Sequence, residues 1–191
     1  MMKVLRIESS IKGGASVTRK LTDGLVAKFA DAKVTVRDTQ GIPLIDGAWV
    51  GAAYTPSDAR TAEQKAALAL SDTLIAELQA ADVIVIGAPI YNFGVTGPLK
   101  AWIDQICRVG VTFAYTETGP KGQLADKPVY VAYASGGVPM GSDYDFSSGY
   151  LRQVLGFIGL TNIHFVAAEG VARDEAAALA RGHQAIAALA A

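Results

Sequence analysis

The chain has 191 residues, and 17 Lys+Arg against 18 Asp+Glu leave a formal charge of −1. That balance excludes a polycationic surface as the basis for binding nucleic acid or a membrane. With 51% hydrophobic and 18% charged residues, disorder is excluded as well. The length suits one domain over residues 1–191, burying roughly 70% of the unfolded chain's surface. The most apolar run, Val83 to Ile90, is far short of the ~20 residues that span a bilayer, so no membrane association is expected. Val4, Leu5 and Ile7 before Glu8 make too short an apolar run for a signal peptide. With Cys107 as the one cysteine, no internal disulfide can form, and a reducing cytoplasmic location is expected.

Five short segments rich in β-branched residues are predicted strands: Lys3–Glu8, Val34–Asp38, Val83–Ala88, Pro128–Tyr133 and Asn162–Ala167. Helical patterns separate them. Ser16–Ala30 sets Leu21, Leu25 and Phe29 four apart on one face. Thr61–Ala80 opens with Thr61 and Gln64 at capping-box spacing. Pro98–Arg108 starts on a proline, tolerated at the first helical position, with Gly110 as its stop. Ser147–Ile158 and Asp174–Ala190 complete the set. Residues Gln40–Arg60 lack periodicity and read as a long surface excursion, and Val111–Gly122 as a small hairpin around Glu117–Gly119. Strand and helix alternating five times predict an α/β fold, a five-stranded parallel sheet covered on both faces. The third strand is apolar almost throughout and belongs at the centre.

In such a sheet, ligands sit beyond the carboxyl ends of the strands, where strand order switches. The loop after the first strand, Ser9 to Thr18, carries neither G-x-G-x-x-G nor the lysine motif of nucleoside triphosphatases. Its hydroxyls and glycines open onto a helix and suit a phosphate, although Ser16 as a simple helix cap is the alternative. Charge-assisted hydrogen bonds of about 1.5–3 kcal/mol outweigh a helix dipole's 0.3–1, so a dedicated lysine is not required. The loop after the third strand, Pro89 to Pro98, holds Tyr91, Asn92 and Phe93, either facing a flat ligand or anchoring a turn on core aromatics. The loop after the fourth, Ala134-Ser135-Gly136-Gly137, lets backbone approach a ligand or makes an ordinary turn. Together the three loops match a phosphorylated flat heterocycle, with flavin mononucleotide (FMN) as the natural candidate.

The segments Ala88-Pro89-Ile90-Tyr91-Asn92-Phe93, Pro98-Leu99-Lys100 with Asp104, Arg108-x-Gly110-Val111-Thr112-Phe113-x-Tyr115, Gly119-Pro120 and Leu155-Gly156-Phe157-Ile158-Gly159 carry a family resemblance over essentially the whole chain. It resembles the FMN-dependent NADH-azoreductases, flavodoxin-like homodimers that also reduce quinones. The resemblance implies a three-layer α/β/α sandwich and two-electron, ping-pong transfer from NADH through bound FMN to azo compounds or quinones. The reaction centre is N5 of the flavin, with no catalytic side chain and no metal. It implies Ser10, Ser16, Val17 and Thr18 around the phosphate, and Ile90, Tyr91, Asn92, Phe93, Ala134, Ser135, Gly136 and Gly137 around the ring. Tyr115 and Phe157 are implied to line the substrate slot, across a dimer interface; the Gln40–Arg60 excursion and Trp49 can supply contacts to it. Ala15 stands where the family often has an aromatic residue, and Ser135 where it often has arginine. The alternatives are a flavodoxin-like electron carrier or a general NAD(P)H:FMN reductase.

Overall fold

The structure is a computed structural model and describes residues 1–189. Five parallel strands form the central sheet: β1 (Lys3–Glu8), β2 (Lys33–Asp38), β3 (Val83–Pro89), β6 (Val129–Ser135) and β7 (Ile163–Glu169), in the order β2-β1-β3-β6-β7. The apolar third strand is central as its sequence requires, and all seven of its residues are buried. β2 is an edge, and Val34 and Val36 are 38% and 56% exposed. Its alternation is therefore a poor guide to burial.

Helices α1 (Val17–Val26) and α6 (Glu175–Ala188) cover one face, where Leu21, Leu25, Ala178 and Ile186 pack on Val85 and Ala132. Helices α3 (Ala62–Ala80), α4 (Gly97–Ile106) and α5 (Ser148–Phe157) cover the other, on Leu5, Ile7, Ile84, Ile86 and Val131. The capping box at Thr61 and Gln64 is present in both directions. Leu21 lies against Gly182, whose missing side chain lets α1 and α6 meet closely: a Cβ there would stand 2.6 Å from Leu21 Cδ2.

The excursion contains a helix that its irregular pattern conceals, α2 (Gly47–Tyr54), capped by Asp46, whose side chain accepts from Trp49 N at 2.8 Å. Trp49 is 8% exposed, packs with Ala52, Ala53 and Leu68, and donates from Nε1 to Gln105 Oε1 at 2.9 Å. It is an internal tether rather than the intersubunit contact expected. The expected hairpin is β4 (Phe113–Thr116) paired with β5 (Gly119–Gly122). The first helix ends at Val26 rather than Ala30, and α4 at Ile106 rather than Arg108. Gly110 does not cap that helix; at φ +75° its N–H donates to Phe113 O in the turn entering the hairpin. Ala190, assigned to the last helix by its sequence, lies outside the described residues.

Candidate active site

β1 has β2 on one side and β3 on the other, so strand order switches at its carboxyl end. The two serines that follow it part company. Ser9 Oγ donates to Gly87 O at 2.6 Å and ties β1 to β3. Ser10 turns into a cavity of about 310 Å³. The chain then makes a single turn of 3₁₀ helix at Gly13–Ala15 and enters α1 at Ser16.

Ser16 Oγ accepts from Arg19 N at 3.2 Å, so the simple cap is real. The same oxygen lies 2.9 Å from Thr18 Oγ1, and both residues line the cavity with Val17. Val17 and Thr18 also contribute two of the amides that a helix leaves without an intrahelical acceptor. Beneath this loop, Glu8 is fully buried; its carboxylate accepts from Arg6 Nε and from Thr22 Oγ1 at 2.6 Å, with Arg19 Nε at 3.8 Å. This buried charge cluster pins the start of α1 to β1.

The loop after β3 supplies the next wall. Tyr91 and Gly94 bracket a tight turn whose central residues, Asn92 and Phe93, have φ of +50° and +69°. Ile90 and Tyr91 line the cavity, and the buried Tyr91 hydroxyl has no hydrogen-bond partner among the described residues. Asn92 and Phe93 sit beyond the lining, with Phe93 51% exposed at the rim.

Ala134, Ser135 and Gly136 close the cavity on the β6 side. Ser135 Oγ donates to Val138 O and shapes the following loop, whereas Gly137 falls outside the lining. A Cβ on Gly136 would stand 3.5 Å from Ala172 Cβ, an ordinary contact, so this backbone runs beside the loop after β7. Nine of the twelve residues expected around the cofactor thus share one cavity; Asn92, Phe93 and Gly137 flank it.

Five lining residues lie outside the expected set: Lys12, Pro89, Val171, Ala172 and Glu175. Val171 and Ala172 lie on the β7–α6 connection and Glu175 opens α6; they reach the site because α6 packs beside α1 on the same sheet face. Alternating topology carries that signal, since a helix on α1's side must begin near α1's own start. A second groove, about 480 Å³, lies between α3 and the β1–β2 edge, away from this rim.

The two expected substrate-slot residues share one aromatic cluster outside the cavity. Phe113 lies between them, with its ring centroid 4.3 Å from Phe157 and 5.7 Å from Tyr115. Tyr115 is 67% exposed. Neither histidine approaches the cavity lining: His164 stacks on Tyr130 at 5.2 Å, and His183 packs near Gly24. Burial pushes the Cys107 thiol up to about 12, the behaviour of a packing residue. Among the described residues no three His, Cys, Asp or Glu are grouped to hold a metal, and no helix is long and apolar enough to cross a membrane.

The donor set fits a phosphorylated aromatic ligand. Hydroxyls and free helix amides sit at one end, an orphaned buried phenol and an unhindered glycine backbone at the other.

A sequence model of the flavodoxin-like fold matches residues 2–190. The chain is 55% identical over 192 residues to the FMN-dependent NADH:quinone oxidoreductase 1 of Jannaschia sp. (strain CCS1), covering all of both chains. It is 49% identical over 191 residues to that of Hahella chejuensis, covering 97% of this chain and 94% of the other. Among solved structures, an azoreductase from Bacillus anthracis str. Sterne superposes with a TM-score of 0.85 at 25% identity, covering 98% of this chain and 96% of that one. The FMN-dependent NADH-azoreductase of the Ames Ancestor strain, solved with FMN, shares the fold at TM-score 0.84 and 24% identity, over 97% and 96% of the two chains. By full-length matches in both sequence and fold, the chain belongs to the flavodoxin-like fold family, among the proteins named FMN-dependent NADH:quinone oxidoreductases.

Proposed function

We infer that this protein is an FMN-dependent NADH:quinone oxidoreductase that also reduces azo compounds to aromatic amines, and that it works as a homodimer of one FMN-binding domain per chain. The observation that carries the reading is the cavity at the β1–β3 switch, where a hydroxyl-and-amide end adjoins an aromatic and glycine end. Full-length relatives at about half identity bear the same activity in their names.

The chemistry FMN supplies when bound is two-electron transfer, from NADH to a quinone or azo acceptor that follows it onto the same site. The protein's part is to bind and orient. Ser10, Ser16 and Thr18 hydroxyls, with the Val17 and Thr18 amides, would hold the phosphate at the start of α1. Ile90, Tyr91, Asn92 and Phe93 would hold the ring from the β3 side. Ala134 to Gly137 would offer it backbone N–H groups from the β6 side, where preorganised donors would stabilise added negative charge. No side chain of this set is required as a nucleophile.

Phe93, Tyr115, Tyr144 and Phe146 expose 51–67% of their surface. They lie on the loops after β3 and β6 and on the hairpin. These aromatics supply an apolar rim for a second copy to cover, which supports the homodimer and an aromatic substrate slot between subunits.

Anaerobic mixing tests the reading. FMN-loaded protein should bleach in the flavin band on adding NADH and recover it on adding benzoquinone or, separately, an azo dye. No bleaching on adding NADH would make the protein an electron carrier, and bleaching without recovery by either acceptor would make it a flavin reductase; either result overturns the assignment.

A further inference from the structure

The cavity contains two charges of opposite sign that the hydroxyl-and-amide cradle does not explain. Lys12 and Glu175 both line it, Lys12 on the loop after β1 and Glu175 in the first turn of α6. Lys12 forms no ion pair among the described residues. Its backbone is fixed by an amide hydrogen bond to Ser10 Oγ at 3.3 Å, so its side chain starts from the phosphate end of the cavity. Glu175 is held by Lys20 of α1, with Nζ 2.8 Å from Oε1. Lys20 itself does not line the cavity.

A carboxylate on the wall of an anion-binding cavity is unfavourable unless something neutralises it. Left free, Glu175 would both repel a phosphate dianion and compete for Lys12. The ion pair with Lys20 removes that competition from outside the cavity. The hydrogen bond and charge of Lys20, and to a smaller extent the charge of Lys12, hold the Glu175 carboxyl below the usual carboxylate range. Glu175 is therefore charged at neutral pH, and its clamp matters under working conditions.

Resting on the FMN reading above, we propose that Lys12 is the cation that discriminates phosphorylated from unphosphorylated flavin, and that Lys20 is a positioning residue that keeps Lys12 free by clamping Glu175. The hydroxyl cradle donates hydrogen bonds to the phosphate; Lys12 adds a full positive charge, and Glu175 sets how much of it is available.

Flavin-free protein is titrated with FMN and with riboflavin, following flavin fluorescence, in the wild type and in four variants. Lys12→Gln should weaken FMN about tenfold, the size of one charge-assisted contact, and leave riboflavin affinity unchanged. Lys20→Gln should weaken FMN about threefold, as expected for an exposed ion pair. Glu175→Gln should tighten it, and the double variant Lys20→Gln/Glu175→Gln should recover wild-type affinity or better. An unchanged FMN-to-riboflavin ratio in Lys12→Gln overturns the role of Lys12. A Lys20→Gln defect that persists in the double variant overturns the clamp. Either result can occur while wild-type protein still prefers FMN, which leaves the oxidoreductase assignment standing. Wild-type protein that binds neither flavin overturns both.

Discussion

Tyr91 and Gly94 exchange two backbone hydrogen bonds, each 3.1 Å, and force the two residues between them into the left-handed region. Asn92 tolerates that conformation better than most side chains, but Phe93 does not. Strain of about 1–3 kcal/mol persists only where the surroundings impose it. Here it holds Phe93 at the rim of the cavity and Tyr91 on its wall. Asn92→Gly should keep the turn and bind FMN with modest loss. Asn92→Val adds a β-branched side chain at φ +50° and should lower stability by about 1–2 kcal/mol. Thermal unfolding of the two variants, with and without FMN, checks the difference; equal stability would mean that the turn can relax without cost.

Gly122 and Gly159 make the closest backbone approach of the hairpin to the body. A Cβ on Gly122 would stand 2.2 Å from Gly159 N, and one on Gly159 would stand 2.6 Å from Leu124 O. Backbone cannot yield as a side-chain tip can. Gly122→Ala should therefore push β5 away from the end of α5 and part Phe113 from Phe157. Overpacking of this kind typically costs 1–3 kcal/mol. The expected outcome is a lower unfolding midpoint together with a raised KM for quinone, since Tyr115 moves with the hairpin. A variant with wild-type midpoint and KM would show that the hairpin adjusts freely.

The strands and the three site loops were legible because their signals are local. β-branched runs end in glycine, serine or proline, and the buried central strand shows as unbroken apolar sequence from Val83 to Ile86. Helix α2 was not, because Gly47, Gly51 and three alanines leave it no polar face, and its eight residues span little more than two turns. Its one local sign is Asp46, an N-cap with no Glu or Gln at the third helical position to complete a capping box. An exposed loop would leave Trp49 available for a partner; the helix turns it inward to Gln105. Val171, Ala172 and Glu175 were missed for a different reason. They enter the site through the packing of α6 beside α1, a relation between the two ends of the chain that no window of sequence contains.

Ser9 and Ser10 give a sharp contrast for the phosphate end. Both are buried, but Ser9 spends its hydroxyl on Gly87 O while Ser10 lines the cavity. Ser10→Ala should weaken FMN by about 1.5–3 kcal/mol, the range for a hydrogen bond to a charged group, and weaken riboflavin much less. Ser9→Ala should instead lower stability, leaving the ratio of FMN to riboflavin affinity alone. Equilibrium titrations with both flavins separate these outcomes, and an unchanged FMN affinity in Ser10→Ala would remove that hydroxyl from the phosphate site.

Asp145 organises the loop between β6 and α5, and this gives the rim a pH dependence. Its carboxylate accepts from Gly141 N at 2.8 Å, from Ser147 N and Ser148 N at 3.0 Å each, and from Ser148 Oγ at 2.5 Å. Burial opposes its ionisation, but these donors outweigh burial and hold its carboxyl below the usual carboxylate range. A carboxyl depressed in the folded state stabilises fully above its unfolded pKa, near 3.9, and loses that contribution as pH falls through the lower folded value. The loop should therefore stay ordered from neutrality down to about pH 4 and loosen below it. Tyr144 and Phe146, exposed on the same loop, should become more mobile there. Hydrogen exchange of the Gly141, Ser147 and Ser148 amides, followed between pH 6 and pH 3 and corrected for intrinsic rates, should show protection falling only at the acid end. In Asp145→Asn, which keeps an acceptor but no charge, protection should already be low at pH 6 and vary little with acidification. Wild-type protection that is flat across the whole range would mean that some other contact holds the loop.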